Sequence, residues 1–497
     1  MRALGHHHEP SRRGSQDLVT PTSSPLSVLP ASWGHSIQIS GSRLAHLHKG
    51  SPLPPVDGGR DAWLFLAASF VVEALVWGFP FSFGVFQDYY STHKPFAGSA
   101  NIAVIGTCAM GIMYMALPLT LGLLTRNPRQ GRWFAIIGVI IMSLALALSS
   151  FSTNVTHLIL TQGIIFALGG CITYTPCIVY MEDWFVKRKG LAYGIMFSGG
   201  GLIGALLPIV LEFLLSSYGL QTTLRIFAGI VFVSIASVAY FIKPRLPRVP
   251  SPNLVDPNPE TILAATAAIT KQKSSLSFVF SRKFNIYQAA SFIEAVGFFL
   301  PGIYLPSYAR DVLGATSFLS ALTVLLVNVA SVFGCIAMGW IVDRYHVTTC
   351  LLVPTLGTVI GVFFLWAFSA NSLAMLYEFC IAYGFFAGAF SAGWPGIMRE
   401  IAGPPPPKHK VKYEDKDNSS SNGRADPIMV FGFLAMGRGV GNIISGPLSD
   451  VLVRGMPSWR GEAWQGYGTG FGPLMIFTGV TAFFGVGPFV CRKLGWL

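Results

Sequence analysis

The chain has few charged residues for its length, since only 11% of its 497 residues are Asp, Glu, Lys or Arg. So little charge cannot cover the surfaces of the several soluble domains that this length would otherwise suggest. The apolar residues, 52% of the total, gather into runs of about 20, the length of helix that crosses a bilayer. The composition therefore indicates a protein that crosses a membrane many times.

The sequence also lacks the motifs of membrane enzymes. It contains no Gly-Lys-Ser or Gly-Lys-Thr for a phosphate-binding loop, and its apolar runs contain no spaced histidine pair for a metal. The seven cysteines are odd in number and fall outside the predicted outer loops, so they form no disulfide or metal framework. We expect neither an enzyme nor a bound cofactor or metal.

Twelve apolar segments follow the first 58 residues, and none alternates in polarity as barrel strands do, so all are predicted to be helices. The segments are 62–86, 100–124, 132–151, 156–181, 189–216, 222–242, 284–308, 317–342, 348–368, 371–400, 428–453 and 471–491.

A long polar and basic stretch, 244–283, divides these segments into six and six. The predicted fold is an all-α membrane protein with twelve transmembrane helices in two pseudo-symmetric six-helix halves, 59–243 and 284–497. The tail 1–58 and the inner loop 402–427 are rich in Pro, Ser and charge, which predicts disorder.

The basic residues fall mainly on one side of the predicted membrane. All but a few of the 34 Lys and Arg lie in segments that this topology makes inner. Such a bias marks the cytoplasmic side, so the net charge of +12 reports topology and contact with the lipid bilayer, and no nucleic-acid partner is expected. Both termini are predicted to be cytoplasmic, and the plasma membrane is the expected location.

Segment 189–216 carries small side chains at helical spacing, which predicts a helix face that a neighbouring membrane helix can approach closely. These small residues are Gly190, Gly194, Ser198, Gly201 and Ala205. The basic turn containing Lys187 and Arg188 precedes them and is expected to fix which end of this helix faces the cytoplasm.

Three short motifs stand at the ends of predicted helices. They are Trp184-Phe185-x-Lys187-Arg188-x-x-Leu191-Ala192-x-Gly194, Asp57-Gly58-Gly59 with Trp63, and Gly339-x-x-x-Asp343-Arg344. The first two resemble signatures of the monocarboxylate porter family, in its fungal branch, and the third resembles the inner-loop motif of the major facilitator superfamily to which that family belongs. The resemblance covers roughly 57–497. It implies the major facilitator fold, a small-molecule substrate, alternating access and a monomer.

Ionisable groups deep in the predicted helices are few, and each costs about 2.5–3.5 kcal/mol to insert. Glu73 and Glu294 lie about 15 Å along segments 1 and 7 at the rise of a helix. A faint repeat, Ala-Ala-Ser-Phe beginning at residues 67 and 289, makes the two glutamates pseudo-equivalent. Each is either a proton-coupling or substrate-coupling group, with H⁺ as the coupling ion, or a neutral residue hydrogen-bonded between helices.

Arg438 lies about 15 Å into segment 11, where a permanent cation needs an anion. One interpretation, which we favour, is a structural ion pair with a carboxylate such as Glu294 or Glu378. The other is that Arg438 binds an anionic substrate through two parallel hydrogen bonds. The glycines around Arg438 indicate helix packing rather than a dinucleotide fingerprint, because no strand precedes them.

The sequence departs from the family where substrates are selected. Animal relatives carry a Lys after the Gly-Phe-Pro of helix 1 and an Asp-Arg pair in helix 8, where this chain has Phe81 and Asn328. Asn328, Glu378 and Tyr174 are further candidates to line the central cavity, and the alternative for Tyr174, which lies beside Pro176, is that the two mark only a helix kink. These departures indicate a larger and less charged organic solute, and the fungal resemblance suggests export of a secondary metabolite. A uniporter or importer of a neutral metabolite and a membrane sensor that does not transport remain as alternatives.

Overall fold

The computed structural model describes residues 54–99, 101–127, 130–245, 276–403, 425–454, 461 and 464–497. Most of the predicted tail 1–58, of the linker 244–283 and of the inner loop 402–427 therefore lies outside the described residues, and the proposed division into domains stays a prediction.

Eleven helices in the described part of the chain are long and apolar enough to cross a membrane. One of them, Lys189–Ala239, has 51 residues, about twice the length that a bilayer requires. Its backbone leaves the helical region at Gly219, with φ 72° and ψ 173°, a conformation that glycine adopts readily. We count its arms, 189–218 and 220–239, as α5 and α6, so the described part of the chain has twelve helices long enough to cross a membrane, and the predicted all-helical fold is confirmed.

The other helices are α1 (Arg60–Thr92), α2 (Ile102–Arg126), α3 (Gly131–Ser149), α4 (Val155–Trp184), α7 (Arg282–Leu313), α8 (Ser317–Val342), α9 (Val347–Trp366), α10 (Leu373–Ala402), α11 (Pro427–Val453) and α12 (Gly472–Lys493). Each lies within a few residues of a predicted segment because the apolar runs that lipid requires are visible in the sequence.

Large apolar side chains cover the outside of the bundle. Leu119, Trp133, Phe213 and Phe333 are each more than half exposed, which a protein in water would avoid on this scale. The aqueous pattern is inverted here, since lipid tails are the solvent for these side chains. The surface therefore agrees with a bundle whose sides face hydrocarbon.

Backbones of α5 and α8 approach closely through the predicted small-residue face. A Cβ added to Gly190 would lie 2.5 Å from the carbonyl oxygen of Gly339, and one added to Gly201 would lie 2.9 Å from that of Asn328. A Cβ at Gly194 would collide with the carbonyl oxygen of Cys335. The small residues thus join the two halves by direct contact of helix backbones.

The glycines around Arg438 serve helix packing, as the sequence indicated. A Cβ at Gly441 would lie 2.8 Å from Ala295 of α7, and one at Gly437 would overlap Gln288 of the same helix. A Cβ at Gly439, on the opposite side, would lie 2.7 Å from Tyr114 of α2. Arg438 therefore stands on a helix that is pressed between α2 and α7.

An aromatic cluster joins the halves at the end of the bundle that carries the Lys187–Arg188 turn, which we call the basic end. Phe431 of α11 stacks on Tyr193 of α5, with ring centroids 5.8 Å apart, and meets Trp394 of α10 at 5.3 Å. Phe197, one turn further along α5, stacks on Phe431 at 6.3 Å. These contacts close the gap between the halves at the basic end.

Candidate functional site

Arg438 forms a buried ion pair with Glu294. Its Nη1 donates to Glu294 Oε2 at 2.6 Å, and the two side chains are 3% and 8% exposed. The guanidinium also lies over the ring of Phe298, with Cζ 4.4 Å from the centroid, a favourable position for a cation. Of the two interpretations of Arg438, this geometry supports the structural pair.

A small cavity adjoins the pair on the side of the second half. Glu294, Thr355, Thr478 and Tyr383 are among the residues that line it. The buried hydroxyls of Thr355 and Thr478 have no hydrogen-bond partner among the described side chains and backbone. The cavity therefore places these polar side chains close to Glu294 within the second half.

Glu73, the pseudo-equivalent of Glu294, has no cationic side chain beside it among the residues that the structure describes. It is 6% exposed, its carboxyl group interacts with the hydroxyl of Tyr174 on α4, and its Oε2 atom makes no hydrogen bond in the described structure. Its Oε1 faces α5 at Gly200, where an added Cβ would lie 3.8 Å away. The sequence predicts both glutamates at this depth, and the structure gives them different surroundings.

Aromatic rings surround Glu73. Trp77, one turn along α1, lies 4.3 Å from Tyr114 and 6.3 Å from Tyr174 between ring centroids. Phe81 follows at 6.1 Å from Trp77, and its edge faces Gly200, as Glu73 does. Trp77 and Tyr174 are buried, whereas Phe81 and Tyr114 keep part of their surface accessible. Phe81 and Tyr174 were expected here, but Trp77 and Tyr114 were not.

Tyr114 links the two glutamate sites. It contacts Trp77 on one side, and its hydroxyl interacts with Arg438 on the other. The candidate groups of the first half, Glu73 and Tyr174, are thereby connected to those of the second half through one side chain of α2. The spacing of Trp77 and Phe81 on one helix face was visible in the sequence, but nothing there indicated Tyr114.

Asn328 and Glu378 are placed differently from the expectation. Asn328 Nδ2 donates to the carbonyl oxygen of Gly204 at 3.1 Å, so this side chain ties α8 to α5. Glu378 is exposed on α10, and the anion beside Arg438 is Glu294. Glu378 is therefore not the partner of Arg438, because it lies on the other face of its helix.

The inner-loop motif holds the first turn of α5. Asp343 Oδ1 accepts a hydrogen bond from the amide of Gly190 at 2.7 Å, and Oδ2 accepts one from Leu191 at 2.9 Å. A carboxylate at a helix N-terminus satisfies free amides and interacts favourably with the helix dipole. Arg344 instead lies over its own neighbour Trp340, with Cζ 3.8 Å from the ring centroid. Asp343 thus connects the two halves at the basic end.

The two signatures of the sequence, about 130 residues apart, meet at the same end. Asp57 Oδ1 accepts hydrogen bonds from the backbone amides of Val186, Lys187 and Arg188, each at 2.9 Å. Burial raises the pKa of the Asp57 carboxyl, but these amides lower it further, so the pKa lies below the usual value. The side chains of Lys187 and Arg188 are exposed. Asp57 therefore binds the backbone of this turn, which the sequence did not reveal.

Comparisons with known proteins are consistent with this architecture. The family model described as Major Facilitator Superfamily matches residues 65–411. Monocarboxylate transporter 12-B of Danio rerio is 28% identical over 71% of this chain and 77% of its own length. MFS-type transporter 1 of Ophiocordyceps sp. (strain BCC 1869) is 28% identical over 70% and 73%, and MFS transporter asaE of Aspergillus flavus is 24% identical over 86% of each chain.

Among solved structures, the nucleoside transporter NupG covers 88% of this chain and all of its own, with a TM-score of 0.53 and 15% identity. This likeness concerns the fold alone. The relatives confirm the resemblance to monocarboxylate transporters and to fungal transporters that the motifs indicated.

Proposed function

Since this chain belongs to the major facilitator superfamily, whose members are transporters rather than enzymes, we propose that it is a proton-coupled secondary carrier of a small organic solute. Its two halves would alternate around the mid-membrane region between Glu73 and Arg438. No cofactor is needed beyond H⁺. We also propose that the protein is a monomer in the plasma membrane and that its basic end faces the cytoplasm.

The observation that carries proton coupling is the buried carboxyl group of Glu73, whose charge no cationic side chain of the described structure compensates. An uncompensated carboxylate in a buried, low-dielectric place is costly, so the group is expected to hold a proton or another cation. Glu294 is less suited to this role, because Arg438 already compensates its charge at 2.6 Å. Of the two glutamates, Glu73 is therefore the one we assign to proton exchange.

Closure of the basic end supports alternating access. The cluster around Phe431 and the hydrogen bonds from α5 to Asp343 hold the halves together at that end. Both sets of contacts join rigid helices from different halves, so they can break together when the halves rock apart.

Proteoliposomes offer the test. Vesicles containing the full chain are loaded with a pooled library of organic acids, neutral solutes and amines, a pH gradient is imposed, and the contents are measured by mass spectrometry. We expect the gradient to drive at least one solute, and Glu73→Gln to abolish the dependence on the gradient. Glu378→Gln, which alters an exposed carboxylate, is the matched control and should behave as the wild type. Unchanged pH dependence in Glu73→Gln would contradict the proposal.

The direction of transport follows from the same vesicles. The names of the fungal relatives do not say in which direction they transport. Export of a secondary metabolite predicts that the solute moves outward while the proton gradient drives H⁺ inward. A uniporter would move solute without any response to the gradient.

A further inference from the structure

The charges buried at mid-membrane do not balance. Glu73, Glu294 and Arg438 are the buried charged side chains in the described part of the chain. Arg438 and Glu294 compensate each other at 2.6 Å, which leaves the charge of Glu73. A solute that enters beside Glu73 therefore meets an uncompensated acid.

The walls around this acid are aromatic. The rings of Trp77 and Tyr174 lie at an interplanar angle of 90°, and the ring centroids of Trp77 and Tyr114 are 4.3 Å apart. Phe81 and Glu73 both face the bare backbone of Gly200. The faces of aromatic rings attract cations, most strongly Trp and Tyr, and they do so more strongly where water is excluded. Rings and carboxylate thus favour the same sign of charge.

No cationic side chain faces Glu73 from its neighbouring helices in the described structure. The titratable groups that interact with it are Tyr174 and Cys177 of α4, Tyr114 of α2 and Cys335 of α8. From α5, Gly199, Gly200, Ile203 and Leu207 are among the residues that contact α1, and none of these four titrates. Arg438 interacts with Tyr114 but is committed to Glu294.

We propose that Glu73, Trp77, Phe81, Tyr114 and Tyr174 form a binding site for an organic cation, a protonated or quaternary amine, which takes the place of the proton on Glu73. The inference rests on the proposed function and specifies its substrate class. Phe81 and Tyr114 keep part of their surface accessible, and we place the approach of the cation on their side of the site. The displaced proton leaves to water, so the carboxylate carries one positive partner at each stage and the carrier exchanges H⁺ for the amine.

An anionic solute fits this region less well. A carboxylate would have to displace Glu294 from Arg438, and Glu294 would then be left buried without its partner. Removing one partner of a buried ion pair is strongly destabilising. The resemblance to monocarboxylate transporters therefore does not extend to the chemistry of the site.

Three aromatic probes of different charge test the inference. They are benzyltrimethylammonium, phenylacetate and benzyl alcohol, each measured by equilibrium dialysis against the full chain in detergent with mass-spectrometric detection. We expect the ammonium probe alone to bind, with affinity about tenfold higher at alkaline than at acidic pH because protons compete for Glu73. Glu73→Gln should weaken binding at least tenfold and remove the pH dependence, and Trp77→Leu should also weaken it.

The control variant is Glu378→Gln, which should bind the ammonium probe as the wild type does. Binding of phenylacetate in place of the ammonium, equal binding by Glu73→Gln, or binding of none of the probes would overturn the inference. Even if one of these three outcomes overturns the inference, the proposed function stands provided that a pH gradient still drives a solute in proteoliposomes. If the gradient drives none, the proposed function fails on its own test. The pH dependence of the wild type also decides the matter should Glu73→Gln fail to fold.

Discussion

Arg438 illustrates how one residue can be kept charged at mid-membrane. Three kinds of contact share its guanidinium: the carboxylate of Glu294, the ring face of Phe298 and the hydroxyl of Tyr114. Each belongs to a helix that glycines allow to come close to α11. A buried ion pair adds little to stability compared with an apolar pair of similar volume, but removing only one of its partners is strongly destabilising. We therefore expect the fold to tolerate loss of both side chains better than loss of either one alone.

Mutating the pair singly and together tests this dependence. Arg438→Met should lower the free energy of unfolding by about 3 kcal/mol or more, since Glu294 would remain buried without its partner. Glu294→Gln should also destabilise the protein, whereas the double variant Arg438→Met/Glu294→Gln should lose less than the sum of the two. Thermal unfolding of the detergent-solubilised protein measures all three. Additive losses would mean that the two side chains act independently.

At the scale of helices, α5 joins the halves through its contact with α8, as α11 does through its contact with α2. Its Gly190, Gly194 and Gly201 face α8, while Gly199 and Gly200 face α1. A membrane interface gains no hydrophobic drive from lipid, so its stability comes from the area of close contact. The small residues on two faces of α5 therefore determine how closely both neighbours can pack.

Adding one methyl group tests the α5–α8 face. Gly194→Ala places a Cβ against the carbonyl of Cys335, and such overpacking costs about 1–3 kcal/mol. We expect a lower melting temperature and a more open basic end. Gly229→Ala in α6 is the matched control, because nothing lies within 4 Å of the added Cβ. Equal effects of the two variants would show that helix propensity, and not the interface, is responsible.

At the scale of the molecule, three sets of contacts hold the basic end together. The aromatic rings around Phe431 pack between α5, α10 and α11, Asp343 holds the first turn of α5, and Asp57 holds the turn before it. The first two sets cross between the halves, and the third stiffens the first half itself. In the proposed cycle, opening of this end separates the first two sets and leaves the third intact.

A reversible cross-link tests whether opening is needed for transport. Tyr193→Cys and Phe431→Cys, introduced together into a chain whose native cysteines are replaced, stand where the two rings now lie 5.8 Å apart. A short bifunctional thiosulfonate should join them and stop transport of whichever solute the wild type carries, and a reductant should restore it. Each single cysteine variant controls for modification alone. Continued transport by the cross-linked protein would contradict alternating access at this end.

The helices could be predicted from sequence because lipid leaves the backbone no other choice over an apolar run. The partners of buried charge were partly predictable, since Arg438 at that depth requires an anion and Glu294 was one of two candidates. Glu378, the other candidate partner of Arg438, is exposed instead. The lipid-facing and the packed face of a membrane helix are both apolar, so the sequence indicates how deep a residue lies in the membrane but not which way its side chain points. The contacts of Asp57 and Tyr114 were missed because they join segments distant along the chain.

The break at Gly219 joins α5 to α6 without a loop. We expect a tilt of α5 in the proposed cycle to be transmitted directly to α6, many of whose side chains are exposed on the outside of the bundle. Tilting such a helix changes the hydrophobic span that the surrounding bilayer must match. We therefore expect membrane thickness to contribute to the energy of each proposed turnover, and the transport rate to differ between thin and thick membranes.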